Sequence, residues 1–257
     1  MVAGLPKKAS QPLSQLFPAS CCLCKESVIY PNICLCALCI DDLPWLKQSC
    51  PQCGIYFKSN KLCPACQKSS PHFRRCLAAF EYRNDAVTQL IYASKKNLFS
   101  PEMMQLSQLL AKFILLSYKT KPLPDIIIPV PMHWRNKIIR GFNQADSIAL
   151  HVARFINHKT IDYQLCRRTV YSSPQHLSSK KQRVRNIKNV FSIYIPDHQS
   201  CLSNTSHHSA IAGKTIAIID DVVTTGATVN AMAAILKTAG AKYVDVWAVA
   251  RTGWRIG

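Results

Sequence analysis

Hydrophobic positions in the larger, C-terminal part of the chain follow two alternating patterns. Four short runs are apolar or alternate between apolar and polar residues, as strands do; these are residues 76–82, 125–131, 214–220 and 243–250. Four longer segments carry apolar residues at helical spacing, and these are residues 86–96, 101–118, 143–156 and 228–240. Because strands and helices succeed one another, the pattern predicts an α/β domain with a mainly parallel sheet over residues 71–257.

Residues 20–70 follow neither pattern. They contain few large aliphatic side chains, and proline recurs at Pro31, Pro44, Pro51 and Pro64. A segment this short cannot offset its chain entropy by apolar burial alone, so we expect a bound metal to supply folding energy. The predicted organisation is therefore an N-terminal tail (1–19), a double zinc ribbon (20–70) and the α/β domain.

Cysteine spacing supports the metal interpretation. The chain has 13 cysteines, an odd number, and eleven of them lie between Cys21 and Cys76. A disulfide framework is expected in small secreted chains, not in one of this length. Four CxxC pairs are present, namely Cys21/Cys24, Cys36/Cys39, Cys50/Cys53 and Cys63/Cys66. One CxxC turn offers two thiolates, so two turns complete a tetrahedral site and eight cysteines fit two zinc ions.

The spacing leaves open which CxxC pair joins which. Cys22 and Cys34 are surplus, and could take the places of Cys21 and Cys36. Free buried cysteines and a redox CxxC site are the alternatives, but one reactive pair would suffice for redox chemistry and four would be redundant.

The chain is strongly basic, with a formal net charge of +19 and a pI near 9.6. Such a balance favours polyanionic partners, either nucleic acid or phosphorylated ligands. An anionic membrane surface is the competing interpretation, but no long basic amphipathic helix supports it. Apolar runs stay below the roughly 18 residues of a spanning helix, so we expect no membrane insertion. The first residues lack the apolar region of a signal peptide, and we expect a cytoplasmic protein.

The stretch IAIIDDVVTTGATV at 216–229 carries the most specific chemistry. Asp220 and Asp221 end a predicted strand and can accept hydrogen bonds from vicinal hydroxyls. Three threonines (Thr224, Thr225 and Thr228) then surround Gly226 where a helix begins, so hydroxyls, free backbone N–H groups and the helix dipole favour a phosphate there. Glycine lets the ligand approach closely. A sugar phosphate matches this spacing better than the alternative, an ordinary capped helix, which leaves the two acids unexplained.

This stretch resembles the phosphoribosyl pyrophosphate (PRPP) signature of type I phosphoribosyltransferases. The resemblance implies that Asp220 and Asp221 hold the ribose 2′ and 3′ hydroxyls. It also implies that a loop holds the 5′-phosphate and that Mg²⁺ accompanies PRPP; the loop residues are Thr224, Thr225, Gly226, Ala227 and Thr228. Ala227 stands where many members have serine, so one hydroxyl donor is absent while the backbone donor remains.

Two further stretches resemble the ComF proteins of bacterial DNA uptake and their GntX-like relatives. These are PVPMHWRNKIIRGFNQAD (129–146) and QHLSSKKQRVRNIKNVF (175–191). That family also has an N-terminal double zinc ribbon, so the resemblance covers nearly the whole chain. The exception is residues 195–213, which we interpret as a surface loop longer than the usual connection. Its three histidines and Cys201 could bind metal, but such clusters are more often incidental.

Basic side chains concentrate between residues 132 and 190, which hold twelve Lys or Arg and two Asp. Three follow the strand at 125–131, where related enzymes bind pyrophosphate: Arg135, Lys137 and Arg140. Five more lie in what resembles a mobile loop that closes over substrate: Lys180, Lys181, Arg183, Arg185 and Lys188. Each could belong to a solvated basic face, but together they suggest an anion channel. Trp134 and Phe142 could stack on bases within it.

Two functions of different classes follow from these observations. One is a Mg²⁺-dependent transferase acting on PRPP, whose acceptor the sequence does not identify. The other is a cytoplasmic factor for natural transformation that holds single-stranded DNA beside other DNA-uptake proteins. The charge of +19 exceeds what one pyrophosphate requires. We therefore predict a ComF-like DNA-uptake factor with a PRPP site, and keep a metabolic phosphoribosyltransferase of nucleotide or base salvage as the alternative.

Overall fold

A computed structural model describes most of the chain as two compact units, one ending at Leu43 and the other beginning at Pro44. The residues it describes are 20–29, 31–59, 61–83, 85–133, 138, 141–168, 190–194 and 211–253. The N-terminal tail and most of the predicted surface loop at 195–213 lie outside them. The four cysteines between Cys50 and Cys66 belong to the same unit as the sheet, whereas the sequence interpretation grouped residues 20–70 together.

The first unit is small and is built around cysteine side chains. Its one named helix, α1, spans Ala37–Asp41. Cys36 precedes it as the N-cap, and the Cys36 thiol accepts a hydrogen bond from the backbone N–H of Cys39 at 3.5 Å. Leu35 and Cys21 are fully buried. The buried side chains of this unit thus include both cysteines and leucines, among them Leu43.

The second unit alternates strands and helices after a short first helix. Its helices are α2 (Pro64–Lys68), α3 (Ala86–Ser94), α4 (Pro101–Ser117), α5 (Gln144–Phe155) and α6 (Ala227–Thr238). Its strands are β1 (Arg75–Tyr82), β2 (Ile126–Pro129), β3 (Cys166–Arg168), β4 (Phe191–Ile193), β5 (Thr215–Val223) and β6 (Tyr243–Thr252). Helices begin where the sequence offers caps: Ser100 and Asn143 each accept a hydrogen bond from the first turn of the following helix.

Four strands form a parallel sheet in the order β1–β6–β5–β2. Its central strands β5 and β6 are almost continuously apolar, which is typical of strands covered on both faces. Strands β3 and β4 form a separate antiparallel pair. The predicted fold class, a phosphoribosyltransferase-like α/β domain with a mainly parallel sheet, is confirmed.

One hydrophobic core cluster lies between this sheet and α6. Ile216 and Ile218 of β5 and Val246 of β6 pack there with Met232 and Leu236 of α6, and all five are buried. Such burial excludes water from the sheet and stabilises it at roughly 1.5–3 kcal/mol per large aliphatic side chain. Among the helices, α4 packs against both α3 and α5. In the part of the chain that the structure describes, no helix is long and apolar enough to cross a membrane.

Strand β5 is longer than its apolar run predicts. The sequence places the strand end at Asp220, but the strand continues to Val223. It does so because β6 runs on to Thr252 and keeps pairing: Asp220 lies opposite Ala248, and Val223 lies opposite Arg251. The two acids therefore stand on hydrogen-bonded backbone, and the following loop begins at Thr224.

Candidate functional site

The loop between β5 and α6 has the geometry of an anion site. Gly226 is the N-cap residue of α6 and has a left-handed φ of 80°, which glycine adopts at little cost. The hydroxyl of Thr225 accepts a hydrogen bond from the backbone N–H of Ala227 at 3.3 Å. Thr224 and Thr225 are exposed and Thr228 lies in the first helical turn, half-buried. The positive end of the helix dipole, the N-terminal N–H groups of α6 and the exposed threonine hydroxyls thus lie close together, and all of them favour an anion.

The two acids lie at the carboxyl end of β5, immediately before this loop. Backbone N–H groups fix them: Asp221 donates to Oδ1 of Asp220 at 2.9 Å, and Val222 donates to Oδ1 of Asp221 at 2.7 Å. Removal of water from the Asp220 carboxyl and the neighbouring charge of Asp221 raise the pKa of Asp220 well above its ordinary value. A cation or a hydroxyl donor placed here would favour the ionised form again.

Arg168 is a candidate site residue that the sequence interpretation missed. It ends β3, and its positive charge partly opposes the rise in the pKa of Asp220, while partial burial lowers the pKa of Arg168 itself. The dipeptide Arg167–Arg168 was counted in the local charge, but a strand of three residues has no periodicity that would have placed it beside the acids. Arg251, which contacts the loop from β6, was missed because its hydrogen-bond partners are distant in sequence.

The CxxC turns come together in two groups of four. Cys21, Cys24, Cys36 and Cys39 form the first, and Cys50, Cys53, Cys63 and Cys66 form the second; within each group the sulfur atoms lie within 4.8 Å of one another. The structure therefore joins the first CxxC turn to the second and the third to the fourth. The sulfur atoms of Cys22 and Cys34 lie 3.8 Å from each other.

Both groups of thiols could hold a metal ion. Burial opposes ionisation of Cys21, but backbone hydrogen bonds at Cys24 and Cys36 outweigh it and lower the pKa of Cys21 to about 6. Hydrogen bonds at Cys63 and Cys53 likewise overcome burial and lower the pKa of Cys50 to about 7. The first thiol of each group is thus the one that ionises most readily, whereas burial raises the pKa of Cys53 to about 11. A bound metal would favour the thiolate form of all four ligands in a group.

All eight of the predicted basic side chains, and Trp134, lie outside the described residues. The eight are Arg135, Lys137, Arg140, Lys180, Lys181, Arg183, Arg185 and Lys188. Phe142 is described and is half-buried, just before the N-cap residue of α5. The roles of these residues in binding pyrophosphate or nucleic acid stay predictions.

Comparison with known proteins identifies the class to which this fold and loop belong. A family model described as "Phosphoribosyl transferase domain" matches residues 96–253, which include the acid pair, the loop and α6. The chain is 33% identical to the DNA utilization protein YhgH of Shigella flexneri over 242 residues, which are 91% of this chain and 98% of that protein. It is 30% identical to Competence protein F of Haemophilus influenzae over 129 residues, 50% of this chain and 51% of that one.

The chain therefore belongs to the phosphoribosyl transferase domain family and, within it, to the ComF-like proteins. Solved structures with some likeness include a purine phosphoribosyltransferase from Pyrococcus horikoshii, at 19% identity and a TM-score of 0.33 over 57% of this chain and 70% of that chain. A hypoxanthine phosphoribosyltransferase from Trypanosoma cruzi matches at 14% identity and a TM-score of 0.34, over 58% and 72%.

Proposed function

We propose that this protein is a ComF-like factor for natural transformation that binds PRPP with Mg²⁺ and handles incoming single-stranded DNA. The observation that carries the PRPP part is the junction of β5 and α6. There an acid pair, two valines, two exposed threonines and a glycine at φ 80° follow one another along the chain.

Each part of the junction has a role in this proposal. The carboxylates of Asp220 and Asp221 accept hydrogen bonds from the ribose hydroxyls. Backbone N–H groups and hydroxyls of the loop donate to the 5′-phosphate, and they come from Thr224, Thr225, Gly226, Ala227 and Thr228. Arg168, whose charge acts on Asp220, faces the anionic ligand in this proposal.

Transfer from PRPP requires that negative charge be stabilised as pyrophosphate leaves C1 of the ribose. Mg²⁺, when bound with PRPP, neutralises part of that charge, and the hard carboxylate oxygens of the acid pair suit this ion. Arg135, Lys137 and Arg140 supply further positive charge in the proposal. Positive charge develops at C1 of the ribose as pyrophosphate leaves. In this proposal the negative charge of the acid pair stabilises it.

The metal bound by the two groups of four thiols is zinc in this proposal, and its role is structural. Four thiolates on a tetrahedron are the preferred ligand set of structural zinc. The second group has only a small apolar core of its own, in which Ile55 packs with Phe57 and Leu62 beside the cysteines. Metal binding would therefore supply much of its folding energy.

The DNA part of the proposal has two supports. The relatives carry the names "DNA utilization protein" and "Competence protein", and the net charge of +19 exceeds the needs of one pyrophosphate. Single-stranded DNA offers this surface a continuous run of phosphates. A metabolic phosphoribosyltransferase without a DNA role is the alternative, and the site at 220–228 alone does not distinguish the two.

Isothermal titration separates these functions. The protein is titrated with PRPP and Mg²⁺, then with a single-stranded oligonucleotide, and finally with each in the presence of the other. Binding of both ligands supports the full proposal. PRPP binding with weak oligonucleotide binding that competes poorly with PRPP supports the metabolic alternative, and failure to bind PRPP removes the proposed role of the loop.

A further inference from the structure

Arg251 is a buried cation near the end of β6 whose side chain contacts the loop at 223–226. Only 4% of the residue is exposed. Its Nη1 atom donates a hydrogen bond to the carbonyl oxygen of Val223 at 3.0 Å and another to the carbonyl oxygen of Thr224. A Cβ atom added to Gly226 would lie 3.9 Å from Nη2, so the guanidinium passes close beneath the loop glycine.

These two hydrogen bonds fix the direction of two peptide groups. In a trans peptide the carbonyl and the N–H point in opposite directions. Because the carbonyls of Val223 and Thr224 point toward Arg251, the N–H groups of Thr224 and Thr225 point away from it. The Thr252 hydroxyl holds the same Thr224 carbonyl at 2.9 Å. The loop donors are thereby preset for an anion on the far side, and the positive charge of Arg251 lies behind them.

The same guanidinium also contacts the backbone of the CxxC turn that carries Cys53, in the second group of thiols. Its Nε atom donates a hydrogen bond to the carbonyl oxygen of Cys53 at 3.0 Å. Two other contacts attach this CxxC turn to the sheet: the N–H of Cys76 donates to the Gln52 carbonyl at 2.7 Å, and Gly54 abuts the Cys76 carbonyl. One side chain therefore connects a turn that holds a candidate metal ligand with the loop that carries the phosphate donors.

We infer that Arg251 is a positioning residue which makes phosphate binding at 224–228 depend on metal bound by Cys50, Cys53, Cys63 and Cys66. The metal fixes the Cys53 turn, the turn fixes the guanidinium, and the guanidinium orients the loop N–H groups toward the 5′-phosphate of a ribose phosphate ligand. This inference rests on the proposed function of the loop. It adds a structural reason for the metal beyond folding of the ribbon itself.

The first test replaces Arg251 and measures PRPP affinity by calorimetry in the presence of Mg²⁺. Arg251→Gln should weaken binding by about tenfold or more, because two loop carbonyls lose a charged donor. Arg251→Lys should recover part of the loss, since an ammonium keeps the charge but reaches fewer partners than the guanidinium fork. Arg74→Gln is the matched control: it removes an arginine hydrogen-bonded to Asp245, and should lower stability without changing PRPP affinity.

The second test removes one metal at a time, using the last cysteine of each group. Cys66→Ser should cost one metal ion per chain and weaken PRPP binding, whereas Cys39→Ser should cost one ion and leave PRPP affinity unchanged. Metal content and the thiolate absorption bands of cobalt-substituted protein verify which site is lost. If Cys66→Ser does not fold, the remaining ion of the Cys39→Ser protein is removed with a chelator and PRPP affinity is measured again.

The outcomes separate the two proposals. A parent protein that does not bind PRPP overturns the proposed function and this inference with it. A parent that binds PRPP, together with folded Arg251→Gln protein of equal affinity, overturns the inference alone. Equal PRPP affinity with and without metal in the second group of thiols overturns the inferred dependence of phosphate binding on that metal.

Discussion

The carboxylate of Asp245 accepts two hydrogen bonds from the guanidinium of Arg74, from Nε to Oδ1 at 2.8 Å and from Nη2 to Oδ2 at 2.6 Å. Asp245 is fully buried on β6, and Arg75 and Tyr118 also donate to its Oδ2 atom. Burial alone would raise the pKa of Asp245, but these donors outweigh it and the pKa lies below its ordinary value. This pair thus attaches the segment that enters β1 to the strand beside it.

Asp245→Asn should lower the free energy of unfolding by about 3 kcal/mol, because it leaves the partly buried charges of Arg74 and Arg75 without a carboxylate. Urea unfolding at neutral pH measures the change. Glu81→Gln is the control, since its partner Arg83 is largely exposed and that ion pair should contribute less than about 1 kcal/mol. Equal losses in the two variants would contradict the role of Asp245.

The ion pair between Arg74 and Asp245 also predicts that the free energy of unfolding falls at low pH. The folded pKa of Asp245 is depressed, so its contribution is complete above the unfolded value of about 3.9 and is lost as pH falls through the lower folded pKa. The parent should therefore lose its advantage over Asp245→Asn only in strongly acidic solution. A stability difference that vanishes already near pH 6 would point to another cause.

The double variant Asp220→Asn, Asp221→Asn should abolish PRPP binding, because the ribose hydroxyls and Mg²⁺ lose their charged acceptors. Oligonucleotide binding should persist or strengthen slightly, since two negative charges leave a basic surface. In the parent, the raised pKa of Asp220 predicts that PRPP affinity increases as pH rises through that pKa, with release of a proton on binding. Calorimetry in buffers of different ionisation enthalpy detects that proton. Parental PRPP affinity in the double variant would show that the loop has been assigned wrongly.

Freshly reduced protein should contain about two zinc ions per chain, one for each group of four thiols. Chelation should unfold the segments around the cysteines first, because thiol ligation supplies their folding energy. Elemental analysis gives the content, and limited proteolysis locates the segments that open. A content near zero would refute the metal assignment, and one ion per chain would mean that only one group binds zinc.

Gly54→Ala should destabilise the second group of thiols more than Gly213→Ala destabilises its own turn. Both glycines have a positive φ, 68° and 72°, which alanine adopts at a cost of about 1–2 kcal/mol. Only at Gly54 would the new Cβ meet a backbone oxygen, the Cys76 carbonyl, at 2.6 Å, whereas nothing lies within 4 Å at Gly213. Thermal unfolding compares them, and equal melting temperatures would show that the Cys53 turn is free to move away from β1.

Nucleic-acid binding through the basic loops should depend steeply on salt, with log affinity falling against log salt by roughly 0.7 per phosphate neutralised. Alanine at Lys180, Lys181, Arg183 and Arg185 should weaken binding and flatten this slope equally for unrelated oligonucleotides. Trp134→Ala should instead cost about 1–3 kcal/mol with little change in slope if the indole stacks on a base. Fluorescence anisotropy at several salt concentrations measures both effects.

A quadruple variant that keeps the parental DNA affinity and slope would remove the DNA-uptake part of the proposal. The transferase site would then be the remaining function. The acid pair serves as an internal control, because its replacement should change PRPP binding but not the salt slope.

The regular part of the fold was accessible from the sequence because its signals are local. Periodic apolar residues placed α4 and α5 to within one or two residues, and CxxC spacing identified the eight thiols of two sites but not which pairs join. The length of β5 was not accessible, because pairing with β6 and not the apolar run decides where it ends. Arg168 and Arg251 were missed because their significance arises from contacts with residues far away in sequence.

The order of strands in the sheet has a consequence for synthesis of the protein. Strand β1 ends at Tyr82, but β6, its neighbour in the sheet, begins only at Tyr243. At about 5–20 residues per second, a nascent chain carries β1 without that neighbour for roughly ten seconds or more. Until then the backbone N–H and C=O groups of β1 that pair with β6 lack their partners. We therefore expect ribosome stalling before β6 to yield aggregation, and chaperones that bind nascent chains to raise the yield of native protein.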